Sequence, residues 1–74
     1  MKQRLTLEEA RKQRNLTQMQ LANLADMQQS DISAIETGRR QQPEIATMKK
    51  LSRALGMTAL LSVAGLVFEE RSEP

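Results

Sequence analysis

The stretch LTQMQLANLADMQQSDISAIETG, from Leu16 to Gly38, constrains the fold of this 74-residue chain more than any other part of it. Its spacing predicts two short helices joined by a tight turn. Thr17 can cap the first helix, and Gln20, three residues on, completes a capping box. Leu21, Leu24 and Ala25 then fall on one face at helical spacing. The pair Asp26-Met27 breaks the pattern, and Asp tolerates a left-handed backbone better than most residues other than Gly. Gln28 or Gln29 opens the second helix. Ile32 and Ile35 point inward, and Gly38 ends the helix just past its last turn. The opposite face carries Ser30, Ser33, Ala34 and Thr37, which are small and mostly polar.

The flanking sequence extends this pair. Thr6 and Glu9 form a capping box for a helix over which Leu7 and Ala10 face a core. Glu8 and Glu9 at its start and Arg11, Lys12 and Arg14 at its end complement the helix dipole. Asn15 is predicted to close it in a left-handed conformation. After the polar loop Arg39-Arg40-Gln41-Gln42, Pro43 suits a helix start. Ile45, Met48, Leu51, Ala54 and Leu55 recur at three and four residues, so Glu44 to Leu55 reads as an amphipathic helix that Gly56 stops. Met57 to Glu70 is strongly apolar. Val63, Val67 and Phe68 favour a strand there, and Gly65 opposes a long helix.

The bulk sequence narrows the function classes. Seventy-four residues make one small domain. The absence of cysteine and histidine removes the thiolate ligand, the commonest general base and the commonest metal ligand. A non-enzyme without metal or cofactor is expected. No apolar run approaches the roughly 18 residues of a membrane span, and no signal-peptide layout is present, so a cytoplasmic protein with no membrane partner is expected. Net charge is +2, but residues 1–55 carry ten Lys/Arg against six Asp/Glu, and residues 56–74 one Arg against three Glu. A basic body suits nucleic acid. Lys2 and Arg4 on a short N-terminal arm could add a phosphate contact.

The joint pattern Leu16-Thr17-Gln18, Leu21-Ala22, Ile32-Ser33, Ile35-Glu36 and Gly38 resembles the core of the Cro/C1 (Xre-type) helix-turn-helix family, over about Leu7 to Gly56. Asp26 departs from it, standing where the family usually has Gly. The resemblance implies a mainly α fold, a four-helix lambda-repressor-like domain over 6–56. It also favours close helix packing at Ala22. A short C-terminal strand or a fifth helix over 57–70 would serve dimerisation, with a polar tail at 71–74. The order of a helix, Leu-Gly and a short apolar run also resembles HipB-type antitoxins, in which a C-terminal strand pairs with its twin. Strand is preferred to helix. Leu60, Leu61, Val63, Leu66, Val67 and Phe68 are many apolar side chains for so small a monomer to cover, and they are the expected dimer interface.

In a helix-turn-helix the second helix enters the major groove by its N-terminal half. Gln28, Gln29, Ser30 and Asp31 would lead, with Ser33, Ala34 and Thr37 behind. Gln can pair bidentately with adenine, Asp can accept from cytosine, and Ala can touch a thymine methyl. Asp31 could equally serve only the helix dipole. Thr17 and Gln18 would position the backbone, where the resemblance implies a Gln that clamps phosphate and braces the recognition helix. Arg39 and Arg40 would contact phosphates. The resemblance also implies an Arg11–Glu36 pair, a structural unit apart from the DNA surface. The expected function is a sequence-specific, homodimeric regulator of double-stranded DNA, a repressor on an inverted-repeat operator. The alternative is an antitoxin that also grips a toxin protein, such as a HipA-like kinase, and represses its own operon.

Overall fold

The computed structural model describes residues 3–40 and 42–71. The expectations for Lys2, Gln41 and the tail beyond Arg71 lie outside the described residues. Four helices, α1 (Leu7–Gln13), α2 (Gln18–Ala25), α3 (Gln29–Glu36) and α4 (Ile45–Leu55), precede an antiparallel hairpin of β1 (Met57–Ser62) and β2 (Gly65–Glu70).

Local chemistry sets the helix ends as the sequence predicts. Thr6 and Thr17 each accept from the N–H three residues on, and Glu9 and Gln20 reach back to the cap N–H groups. Each such cap is worth about 1 kcal/mol. Asn15 (φ 59°) and Asp26 (φ 56°) are both left-handed. Asp26 therefore does in the turn what Gly does without a side chain. Gly38 (φ 84°) closes α3, its N–H bonded to the Ile35 carbonyl at 3.2 Å.

One core holds helices and hairpin together. Leu21, Ile32, Leu51, Met57 and Phe68 are its largest fully buried side chains, joined by Leu5, Leu7, Ala10, Ala22, Ala25, Ile35, Leu55 and Leu66. Ala22 is buried, as expected of a small residue between crossing helices. Two positions assigned to the core by periodicity face solvent: Leu24 is 61% and Ile45 70% exposed. Leu21, Ala22 and Ala25 set the buried stripe of α2, and Leu24 falls beside it. In α4 the stripe runs through Leu51 and Leu55, and Ile45 comes too early to be covered. Glu44, extended at ψ 155°, is the cap of α4 rather than its first residue, with Pro43 before it.

The C-terminal segment differs most from expectation. Neither a lone strand nor a fifth helix forms. Met57 pairs with Glu70 and Ser62 with Gly65, so the segment supplies both strands of its own sheet. Val63 and Ala64 make the turn, and Gly65 (φ 112°) leaves it in a conformation that a side chain would strain. Of the six expected interface residues, Leu66 and Phe68 belong to the chain's own core. Alternation along β2 turns them inward, where Leu5 exchanges both backbone hydrogen bonds with Phe68 at 2.8 Å. Leu60 and Val67 stand opposite each other on the outer face, half-buried. Leu61 is 50% exposed and Val63 fully so.

Arginines fasten the hairpin to the helices. Arg14 grips Glu70 through two bonds of 2.8 and 3.1 Å and donates from Nε to the Leu55 carbonyl at 2.8 Å. Arg4 pairs with Glu69 at 3.0 Å. The Glu70 carboxyl lies below its ordinary pKa because of its hydrogen bonds to Arg14. No described helix is long and apolar enough to cross a membrane.

Candidate nucleic-acid interface

The α2–turn–α3 unit presents the N-terminal half of α3 to solvent. Gln28, Gln29 and Ser30 are exposed there, and Ser33 and Ala34 follow half-buried on the helix. Small side chains at Ser30, Ser33 and Ala34 let a helix backbone approach a groove wall closely. A chain of polar contacts fixes the leading residue. Gln29 Nε2 donates to Gln18 Oε1 at 3.2 Å. Gln18 Nε2 donates to Glu36 Oε1 at 3.0 Å. Glu36 in turn accepts from Arg11 Nε at 2.7 Å and Arg11 Nη2 at 3.2 Å.

Arg11 and Glu36 therefore form the expected pair, with side chains only 11% and 5% exposed. Arg11 also donates to the Leu16 carbonyl at 2.8 Å, so its fork braces the entry to α2. The hydrogen bond to Glu36 raises the Arg11 pKa above its ordinary value, against the opposing effect of burial. Such a pair gives little net stability over an apolar one, but loss of one partner strands a charge. Through Gln18 the pair is linked by hydrogen bonds to Gln29 on α3. The family resemblance implied the two partners and a bracing Gln18, but not the Gln18–Glu36 contact, because these side chains meet only once α2 and α3 cross.

Other candidates divide by their partners. Asp31 turns back and accepts from the Gln28 N–H at 3.2 Å, which is its capping role. The Thr37 hydroxyl donates to the Ser33 carbonyl at 2.9 Å and accepts from Arg39 Nε at 3.3 Å, so it anchors Arg39. Arg39 and Arg40 are exposed just past α3. The Thr17 hydroxyl is engaged in capping, which leaves the start of α2 exposed beside Gln18. Lys50 of α4 reaches the Asp26 carbonyl in the turn at 3.4 Å.

A profile of the helix-turn-helix family matches residues 7–61. The chain belongs to the Cro/C1-type helix-turn-helix family. The family is one of DNA-binding transcription regulators, and α2 and α3 lie within the matched residues. No curated protein matches the sequence.

Proposed function

We propose that this helix-turn-helix protein is a non-enzymatic repressor that binds an inverted-repeat operator as a homodimer. The observation that carries the reading is the Gln29–Gln18–Glu36–Arg11 chain, which holds an exposed amide at the tip of the recognition helix. A preorganised Gln at that point suits bidentate pairing with adenine. Ser30, Ser33 and Ala34 line the same approach. Thr17, Gln18, Arg39 and Arg40 position the phosphate backbone.

The dimer is supported by Leu60, Leu61, Val63 and Val67, which the chain's own core leaves wholly or partly exposed. Two recognition helices about 34 Å apart would then reach successive major grooves. The antitoxin alternative draws no support from the hairpin, whose strands pair with each other rather than awaiting a twin. Selection of duplexes from a random pool, followed by footprinting, tests the proposal. An enriched inverted repeat with half-sites one turn apart is expected. Enrichment of a single unrepeated site would overturn the dimeric reading, and no enrichment would overturn sequence-specific binding.

A further inference from the structure

A groove of about 420 Å³ runs between α4 and β1, on a different flank of α4 from the Lys50 contact to the turn. Ile45, Met48 and Ala59 give it an apolar floor, and Lys49, Arg53 and Arg71 line it with positive charge. Among the described residues no ion pair engages any of these three cations. Arg71 donates to the Ser52 hydroxyl at 3.1 Å, which fixes it beside the groove.

The groove reaches an open sheet edge. Phe68 spends both backbone groups on Leu5, away from β1. Ala59 stands opposite Phe68, so this is a pair whose backbone groups point outward on both strands. Leu61, two residues on, shares that direction. On β2 Leu5 takes the outward groups of Phe68. On β1, Ala59 and Leu61 have no backbone partner on that side among the described residues. Their N–H and C=O groups are a template for an added strand.

We propose that this groove docks an extended, acidic segment of a partner protein, which adds a strand to β1 and sets carboxylates against Lys49, Arg53 and Arg71. Charge argues against a second copy as the occupant. The β1 sequence Met57–Ser62 carries no acidic residue, and a twin strand would bring a second set of the same cations. Duplex DNA would use the cations but neither the apolar floor nor the strand edge. The proposal is independent of the operator reading.

The test titrates the full chain with a labelled peptide alternating leucine and glutamate, and with its leucine–lysine counterpart, while amide resonances are followed. Saturable binding of the acidic peptide alone is expected, weakened by salt and centred on Thr58 to Leu61. Lys49→Glu with Arg53→Glu should weaken it by about tenfold or more without changing the circular dichroism. Ala59→Pro, which removes the edge donor, should do the same with the cations intact. Equal binding of the basic peptide, or shifts centred elsewhere, would overturn the proposal. So would peptide exclusion with Ala59 and Leu61 amides already protected in a self-associated chain. A loss of duplex affinity in the charge reversal equal to that of Arg39→Gln would make these cations phosphate contacts and also overturn it.

Discussion

Gln29 and Gln18 are joined side chain to side chain at 3.2 Å across the turn between α2 and α3. The bond costs α3 nothing in reach, because Gln29 remains exposed. It removes rotamer freedom that binding would otherwise have to remove, at roughly 0.5–1.5 kcal/mol for a side chain of this kind. Gln29→Ala should therefore relax base preference at one operator position by ~1–3 kcal/mol. Gln18→Ala should weaken binding and blur that same position, since Gln29 loses its tether. Affinities for duplexes changed one base pair at a time measure both. Equal losses on operator and random DNA for Gln29→Ala would contradict the reading.

Arg39 and Arg40 follow a different rule, because phosphates carry charge but no sequence. Replacing either by Gln should weaken operator and random duplexes alike. Each loss should flatten the slope of log K against log salt by about 0.9. Anisotropy titrations over a salt series check this, and an unchanged slope would remove the arginine from the interface.

Much of this architecture is legible in the sequence because it is set locally. Capping boxes at Thr6 and Thr17, left-handed Asn15 and Asp26, and inward Ile32 and Ile35 all depend on residues within a few positions. The C-terminal segment was harder for a physical reason. Apolar alternation at Leu66 and Phe68 shows that these side chains will be buried, but not whether by this chain or a twin. That choice depends on the turn at Val63-Ala64 and on the core that these side chains join with Leu5, Leu7 and Met57. The link from Gln18 to Glu36 was hidden for a similar reason, being a product of the crossing angle.

The Arg14–Glu70 contact gives the fold a pH dependence at the acid end. Hydrogen bonding to Arg14 depresses the Glu70 pKa in the folded chain. A carboxylate with a lowered folded pKa contributes stability above its unfolded value, which is lost as pH falls through the folded one. Melting temperature should therefore decline on acidification through and below the ordinary carboxylate range. Glu70→Gln should flatten that decline. The effect should be small and salt-sensitive, because Glu70 is half-exposed. Thermal melts of both chains over pH measure it, and parallel profiles would assign the decline to other carboxylates.

Phe68 ties any test of dimerisation to folding. Deleting the chain after Gly56 would remove Met57, Leu66 and Phe68 from the core, so a shortened chain cannot report on the monomer. Phe68→Ala alone should cost about 3–5 kcal/mol, a large share of what so small a domain has. The outer face can be altered safely. Leu60→Lys with Val67→Glu places opposite charges on facing strands, which preserves the hairpin. Sedimentation should show this variant monomeric with a near-native melting temperature. A dimer persisting at micromolar concentration would move the interface elsewhere.

Arg11 and Glu36 carry the last prediction. Glu36 accepts three hydrogen bonds from two donors, Arg11 and Gln18, at a site nearly closed to water. Glu36→Leu leaves a buried guanidinium without its counter-charge and should destabilise the fold by ~3–5 kcal/mol. Arg11→Met strands the carboxylate and should cost a similar amount. The double variant strands neither charge, so much of the loss should return, short of the bond that Arg11 makes to the Leu16 carbonyl. Because Gln18 also loses its acceptor in the double variant, base discrimination at the position read by Gln29 should fall even where stability is recovered. Denaturation of all four chains gives the coupling energy. Duplex binding by the recovered double variant then separates the structural role from the positioning one. Additive stability changes would reject the pair, and full discrimination in the double variant would reject its link to the recognition helix.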